Sequence, residues 1–174
     1  IQLKITLAAG LDYETATSYS LTLSASDGVN TTTNSLTITI DDVNEAPSLS
    51  NSLAASSFAE NVSTGPTIAT ASASDPESQT ITYSLSGTGS GNFAVDSAGN
   101  ITLAAGLDYE TTTSYSLTLS ASDGVNTTTN SLAISISDVD EAPSLSSSLA
   151  ASSFSENTAT GTTIATTSAS DPES

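Results

Sequence analysis

Residues 114–136 read SYSLTLSASDGVNTTTNSLAISI. Tyr115, Leu117, Leu119 and Ala121 alternate with serine and threonine, and so do Leu132, Ile134 and Ile136 beyond the Asp-Gly signal. Apolar residues at every second position mark a strand with one buried face, whereas an amphipathic helix needs a period of 3.6. Working outward, Ile81, Tyr83 and Leu85 repeat the alternation. Phe93 and Val95 precede the turn DSAGN at 96–100, and Ile101 and Leu103 follow it, which predicts a hairpin. Thr67–Ser74 is a further β-branched run, and 48–58 is a weaker first strand. The reading gives about seven short strands and no useful helical stripe, an all-β antiparallel Greek-key sandwich with a Ser/Thr-rich face in water.

The same text occurs twice. LDYE at 11–14 returns at 107–110, SASDG at 24–28 at 120–124, and DVNEAP at 42–47 as DVDEAP at 138–143. FAEN at 58–61 returns as FSEN at 154–157, and SASDPES at 72–78 at 168–174. The offset is always 96 residues, the length of one β-sandwich domain. Between 4–46 and 100–142 there are 6 differences in 43 positions, and between 47–78 and 143–174 there are 6 in 32. The chain reads as the C-terminal part of one repeat (1–46), a complete repeat (47–142) and the N-terminal part of a further repeat (143–174). A window on a longer array needs the fewest assumptions, because nothing in the partial ends corresponds to 79–96.

Composition narrows the function. The 174 residues hold 19 acids and one base, Lys4, for a net charge of −18, with no Cys, His, Met or Trp. Zinc fingers, disulfides and imidazole or thiol chemistry are excluded. A basic footprint for nucleic acid is absent, and no apolar run approaches the ~18 residues of a membrane-inserted helix. Nothing is present to activate a hydroxyl, and the repeated carboxylates lack the aromatic platforms of a sugar-cleaving cleft, so the chain reads as no enzyme. Ser and Thr together number 64. They read as solvent faces of strands or, alternatively, a glycosylated stalk, with N-x-S/T patterns at Asn30, Asn61, Asn100 and Asn126. GTGSGN at 87–92 lacks the lysine of a phosphate loop and reads as a turn.

The acids are concentrated. Only Asp41 and Asp96 lie outside the repeated motifs. Carboxylates gathered without bases repel one another and raise one another's pKa, so the clusters call for a cation. Dense all-oxygen ligands suit Ca²⁺ better than Mg²⁺ or Zn²⁺.

In this order the five motifs resemble the calcium motifs of cadherin repeats, over the whole chain. Near-identical units and a shortened linker make the resemblance strongest to the cadherin-like arrays of large bacterial surface adhesins. It implies tandem Greek-key (Ig-like, cadherin-like) β-sandwich domains in a linear array, with about three Ca²⁺ per inter-domain junction. Carried over residue by residue, the first junction takes Asp12 and Glu14, then Asp42, Asn44 and Glu45 of the linker, then Asp75, Glu77 and Asp123. The second takes Glu60, Asp108 and Glu110, then Asp138, Asp140 and Glu141, then Asp171 and Glu173. Asp27 and Glu156 fall to junctions above and below. Glu77 and Glu173 replace the second Asp of the family's D-x-D, Glu45 and Glu141 replace a linker Asp, and Asp140 stands where Asn44 is found. These departures leave two ions per junction as an alternative.

The expected function is a calcium-rigidified extracellular extender or stalk of a bacterial cell-surface adhesin or filament. Its partners are the neighbouring repeats of the same chain and, in a filament, identical chains. The alternative is a binding module whose repeats grip a partner, a carbohydrate or an ice surface.

Overall fold

The computed structural model describes residues 4–53 and 57–173. The strands are β1 (Ser18–Ser26), β2 (Thr31–Thr39), β3 (Ser48–Leu53), β4 (Ser57–Ala59), β5 (Thr67–Ser74) and β6 (Thr82–Ser86). A 3-10 turn, Ser90–Asn92, precedes β7 (Phe93–Val95), β8 (Asn100–Leu103), β9 (Ser114–Ser122), β10 (Thr127–Ser137), β11 (Ser144–Leu149) and β12 (Ala165–Ser170). Two four-stranded sheets lie within 48–137, ordered β3-β5-β8-β7 and β4-β10-β9-β6. The protein is an all-β sandwich, as its alternation predicts.

The weak first strand at 48–58 is two strands, one in each sheet, so 48–137 holds eight strands rather than seven. Residues 54–56 between them lie outside the described residues. β4 runs parallel to β10, pairing Ser57 with Ser135, Phe58 with Ile136 and Ala59 with Ser137, while every other pair is antiparallel.

Alternation becomes burial directly. Tyr115, Leu117, Leu119 and Ala121 of β9 and Leu132, Ile134 and Ile136 of β10 face inward against Ile68, Phe93, Ile101 and Leu103 of the opposite sheet. Each large aliphatic side chain so buried contributes about 1.5–3 kcal/mol. The register of β5 on β8 slips between Thr67 and Ala69. This bulge lets the consecutive residues Ile68 and Ala69 both face the core, which a regular strand forbids. Phe93 meets Tyr115 edge to face, with ring centroids 5.1 Å apart. The DSAGN turn closes as a hairpin because Asp96 Oδ1 accepts from the amides of Ala98 and Asn100 at 2.9 and 2.8 Å. Gly99 sits there at φ 83°, where an added Cβ would stand 2.5 Å from the Ala71 carbonyl oxygen.

The segments flanking this sandwich reproduce its registers. β1 pairs with β2 as β9 does with β10, and β11 with β12 as β3 does with β5, each shifted by the 96-residue offset. Their inward-type residues are nevertheless exposed.

Candidate metal centre

Strand ends and linkers carry the acids because strand interiors of this sequence are uncharged. At the first linker Glu14, Glu45 and Glu77 bring carboxylate oxygens within 4.8 Å of one another. At the second, two such groups share a residue: Glu60, Glu110 and Asp138, and Glu110, Glu141 and Glu173. A cleft of about 330 Å³ there is lined by Glu60, Asp108, Glu110 and Glu141, with Asn61, Leu107 and Pro172.

Glu60 is the anchor of the second cluster. Only 7% exposed, it follows β4, and its two oxygens accept from the Tyr109 and Val139 amides, each at 2.7 Å. One side chain thus ties the LDYE turn to the linker. Asp108 Oδ1 holds its own turn through the Thr111 amide at 2.9 Å, and Asp12 does the same for Thr15 at 2.9 Å. Glu173 Oε1 accepts from the Glu141 amide at 2.6 Å, and Asp171 Oδ1 from the Glu173 amide at 3.2 Å.

At the first linker Asn44 is the organiser. Its amide nitrogen donates to Asp123 Oδ2 at 2.9 Å, its side-chain oxygen accepts from Gln79 Nε2, and its backbone oxygen accepts from Asn126 Nδ2 at 3.1 Å. Asp75 Oδ1 accepts from the Gln79 amide at 3.0 Å. Sequence reasoning did not select Gln79 or Asn126. Gln79 follows the SASDPES motif, outside the repeated text, and the only pattern around Asn126 is a glycosylation-type one. Asp12, Asp42, Asp75, Asp108, Asp123, Asp140 and Asp171 belong to none of the three carboxylate groups. Asp42 acts on the first group through its charge on Glu45, and Asp140 raises the neighbouring Asp171 in the same way.

The titration behaviour reports crowding. Glu45 is pushed up to about 7, first by the Glu77 carboxylate against it, then by loss of water and by the charges of Glu77, Glu14 and Asp42. Glu141 is likewise pushed up to about 7, first by Glu173, then by lost water and the charges of Glu60, Glu173 and Glu110. Glu173 is held down to about 2, chiefly by Asp171 and the Glu141 amide. For Glu110 its own amide lowers the pKa, but lost water and the charges of Glu60, Asp138 and Glu173 raise it on balance. The Asn44 amide leads the causes that hold Asp123 low.

A hard cation fits these residues. Asp75 Oδ2 and both oxygens of Glu77 are buried and accept from no donor. Two ionised carboxylates cannot donate to each other, so Glu45 and Glu77 are reconciled only by a shared proton or a shared cation. Buried oxygen acceptors without donors, in groups spanning 4.8 Å, are the ligand chemistry of calcium.

A β-sandwich repeat with acid-bearing ends is the class that fold and site define. Residues 55–139 match the cadherin domain family. Human Cadherin-23 is 36% identical over 118 residues, 65% of this chain and 4% of that protein. The Drosophila melanogaster Protocadherin-like wing polarity protein stan is 37% identical over 134 residues, 70% of this chain and 4% of that protein. The chain therefore spans about 4% of the length of the curated relatives it matches. Extracellular cadherin domains 3-6 of Protocadherin Gamma B2 superpose with a TM-score of 0.64 at 26% identity, covering 94% of this chain and 42% of that one. Human Protocadherin-24 EC1-2 gives 0.57 at 26% identity, covering 76% and 71%. The chain carries a cadherin-like repeat. Among the described residues no helix is long and apolar enough to cross a membrane.

Proposed function

We propose that residues 1–46, 47–142 and 143–174 belong to successive repeats of an extracellular adhesion array, stiffened by calcium at the two linkers. The observation that carries this reading is the pair of buried, donorless oxygens of Glu77 beside Glu45 and Glu14, with a further such oxygen on Asp75 two residues away. At the first junction Glu14, Glu45 and Glu77 form the inner ligand set, with Asp12, Asp42, Asn44, Asp75 and Asp123 around it. At the second, Glu60, Glu110, Asp138, Glu141 and Glu173 form that set, with Asp108, Asp140 and Asp171 around it. When bound, calcium supplies the positive charge that carboxylates gathered from three chain segments lack. Without it, mutual repulsion loosens the linkers at 42–47 and 138–143.

The likeness to extracellular cadherin domains of Protocadherin Gamma B2 supports an extracellular setting, where millimolar calcium fills sites too weak to fill in a cytosol. Near-identity of the copies favours a repeated spacer, the stalk of a bacterial surface adhesin, over a specialised binding face. Catalysis has no place in this reading. Small-angle scattering, melting and limited proteolysis with calcium and with chelator test it. Calcium is expected to extend the particle, raise the melting temperature and protect both linkers. Identical scattering and cleavage in the two conditions would overturn it.

A further inference from the structure

The longest uncharged stretch of the chain, residues 78–95, runs along one side of the central sandwich. It contains β6 and β7, each the last strand of its sheet. An open sheet edge carries unpaired amides and carbonyls that another strand can take. The central sandwich has four such edges. β4 and β7 are three residues long. β3 is bridged to β10, because Asn51 Nδ2 donates to the Ser131 carbonyl at 3.4 Å and Asn130 Nδ2 donates to Asn51 Oδ1 at 2.8 Å.

β6 is different. Its five residues, Thr82–Ser86, pair with β9 in unbroken register from Thr82 opposite Ser122 to Ser86 opposite Thr118. It has no charge, no proline and no bulge, the devices that blunt an edge. Tyr83 and Leu85 are only half-buried against the core, while Thr82, Ser84 and Ser86 stand exposed on the outer face.

We infer that β6 is a pairing edge and that its occupant is β6 of a second copy of this chain, running antiparallel. Charge selects the occupant. Two chains of net charge −18 repel wherever their acids face, and along 78–95 they can approach with no acid between them. The side-chain pattern selects the register. With Ser84 opposite Ser84 of the second copy, all five residues pair, Thr82 with Ser86 and Tyr83 with Leu85, each twice. Tyr83 and Leu85 then cover each other's exposed parts on the core side. Small hydroxyls meet on the outer side, where no bulky group holds the strands apart. Two four-stranded sheets become one continuous sheet. The same surface is used on both copies, so the contact closes at a dimer. It draws on no carboxylate and goes beyond the calcium reading.

The chain has no cysteine, so one introduced thiol reports what lies opposite it. Directly opposed residues of antiparallel strands have Cα atoms about 4.5–5.5 Å apart, within the span of a disulfide. Ser84→Cys, Thr82→Cys, Ser86→Cys and Thr118→Cys, each checked for an unchanged melting temperature, are oxidised in air at matched concentration in calcium. Ser84→Cys is expected to link to itself. Thr82→Cys and Ser86→Cys are expected to stay unlinked alone and to link to one another when mixed. Thr118→Cys, exposed on the same face but one strand further in, reports chance collision and is expected to stay monomeric. Sedimentation velocity of the wild-type chain is expected to show a dimer at millimolar concentration that Ser84→Asp, with like charges opposed at the two-fold, abolishes. The same linking pattern in chelator at high salt supports the edge even where the calcium reading fails. Linking of Ser84→Cys no faster than that of Thr118→Cys overturns the inference. So does a wild-type chain that stays monomeric, or a Thr82→Cys chain that links to itself as readily as to Ser86→Cys.

Discussion

Glu60 and Glu156 are copies of one residue in two environments, and replacing each with alanine separates them. Glu60 is 7% exposed and accepts two amides at 2.7 Å, whereas Glu156 is exposed. A hydrogen bond to a charged group is worth about 1.5–3 kcal/mol, so losing both costs up to about 3–6 kcal/mol. Against this, Glu60→Ala removes repulsion from Glu110 and Asp138, whose oxygens lie within 4.8 Å of its own. Those two carboxylates are exposed, so water screens them to about 1 kcal/mol each. In chelator the net loss is then roughly 1–4 kcal/mol, about 4–8 °C of melting temperature per kcal/mol for a domain of this size. In calcium the repulsion is already neutralised, so its relief no longer offsets the loss and the cost rises toward the full value. Glu156→Ala at micromolar concentration should stay within about 0.5 kcal/mol of wild type. Melting followed by circular dichroism in both conditions is the assay. Equal shifts for the two variants, or a Glu60→Ala loss larger in chelator than in calcium, would refute the reasoning.

The pH profile of the metal-free chain should run opposite to the usual one for acidic proteins. Glu45 and Glu141 titrate at about 7 in the fold against an ordinary 4.5, so the fold holds extra protons between those values and loses stability as pH rises through them. Glu173, held to about 2, contributes stability present above 4.5 that disappears as pH falls toward 2. Melting temperature in chelator should therefore peak near the ordinary carboxylate value, and a steady rise from pH 4.5 to 7 would contradict the assignment. Gly99→Ala should cost about 1–3 kcal/mol in urea titrations, because a positive φ and the Ala71 oxygen at 2.5 Å act together. Gly28→Ala, with φ 94° and open space around it, should cost less; equal costs would remove the steric argument. Asn44→Leu removes the amide donor to Asp123, so the Asp123 titration followed by NMR should move upward, and an unmoved midpoint would deny Asn44 that role.

The strands were legible because burial here follows alternation almost residue for residue, as at Tyr115, Leu117 and Leu119. The split of the first strand was not, since 48–58 contains no Gly or Pro to announce that the chain changes sheets. The parallel pairing of β4 with β10 was equally hidden, because its partners are 78 residues apart. Clustering of acids at strand ends was visible in the motifs. Glu14, Glu45 and Glu77 were grouped at one junction only through the resemblance, and that these three of its residues come within 4.8 Å of one another is set by the fold. Gln79 and Asn126 were missed because amides that orient carboxylates leave no charge signature.

The parallel contact between β4 and β10 also fixes how the sandwich bears tension. β4 lies near the entry of the chain and β10 near its exit, side by side and pointing the same way. Pulling the two chain ends apart slides these strands along each other, loading their ladder bonds together. An antiparallel arrangement of the same strands would peel open one bond at a time. A sandwich loaded in this way yields abruptly and at higher force than one that peels.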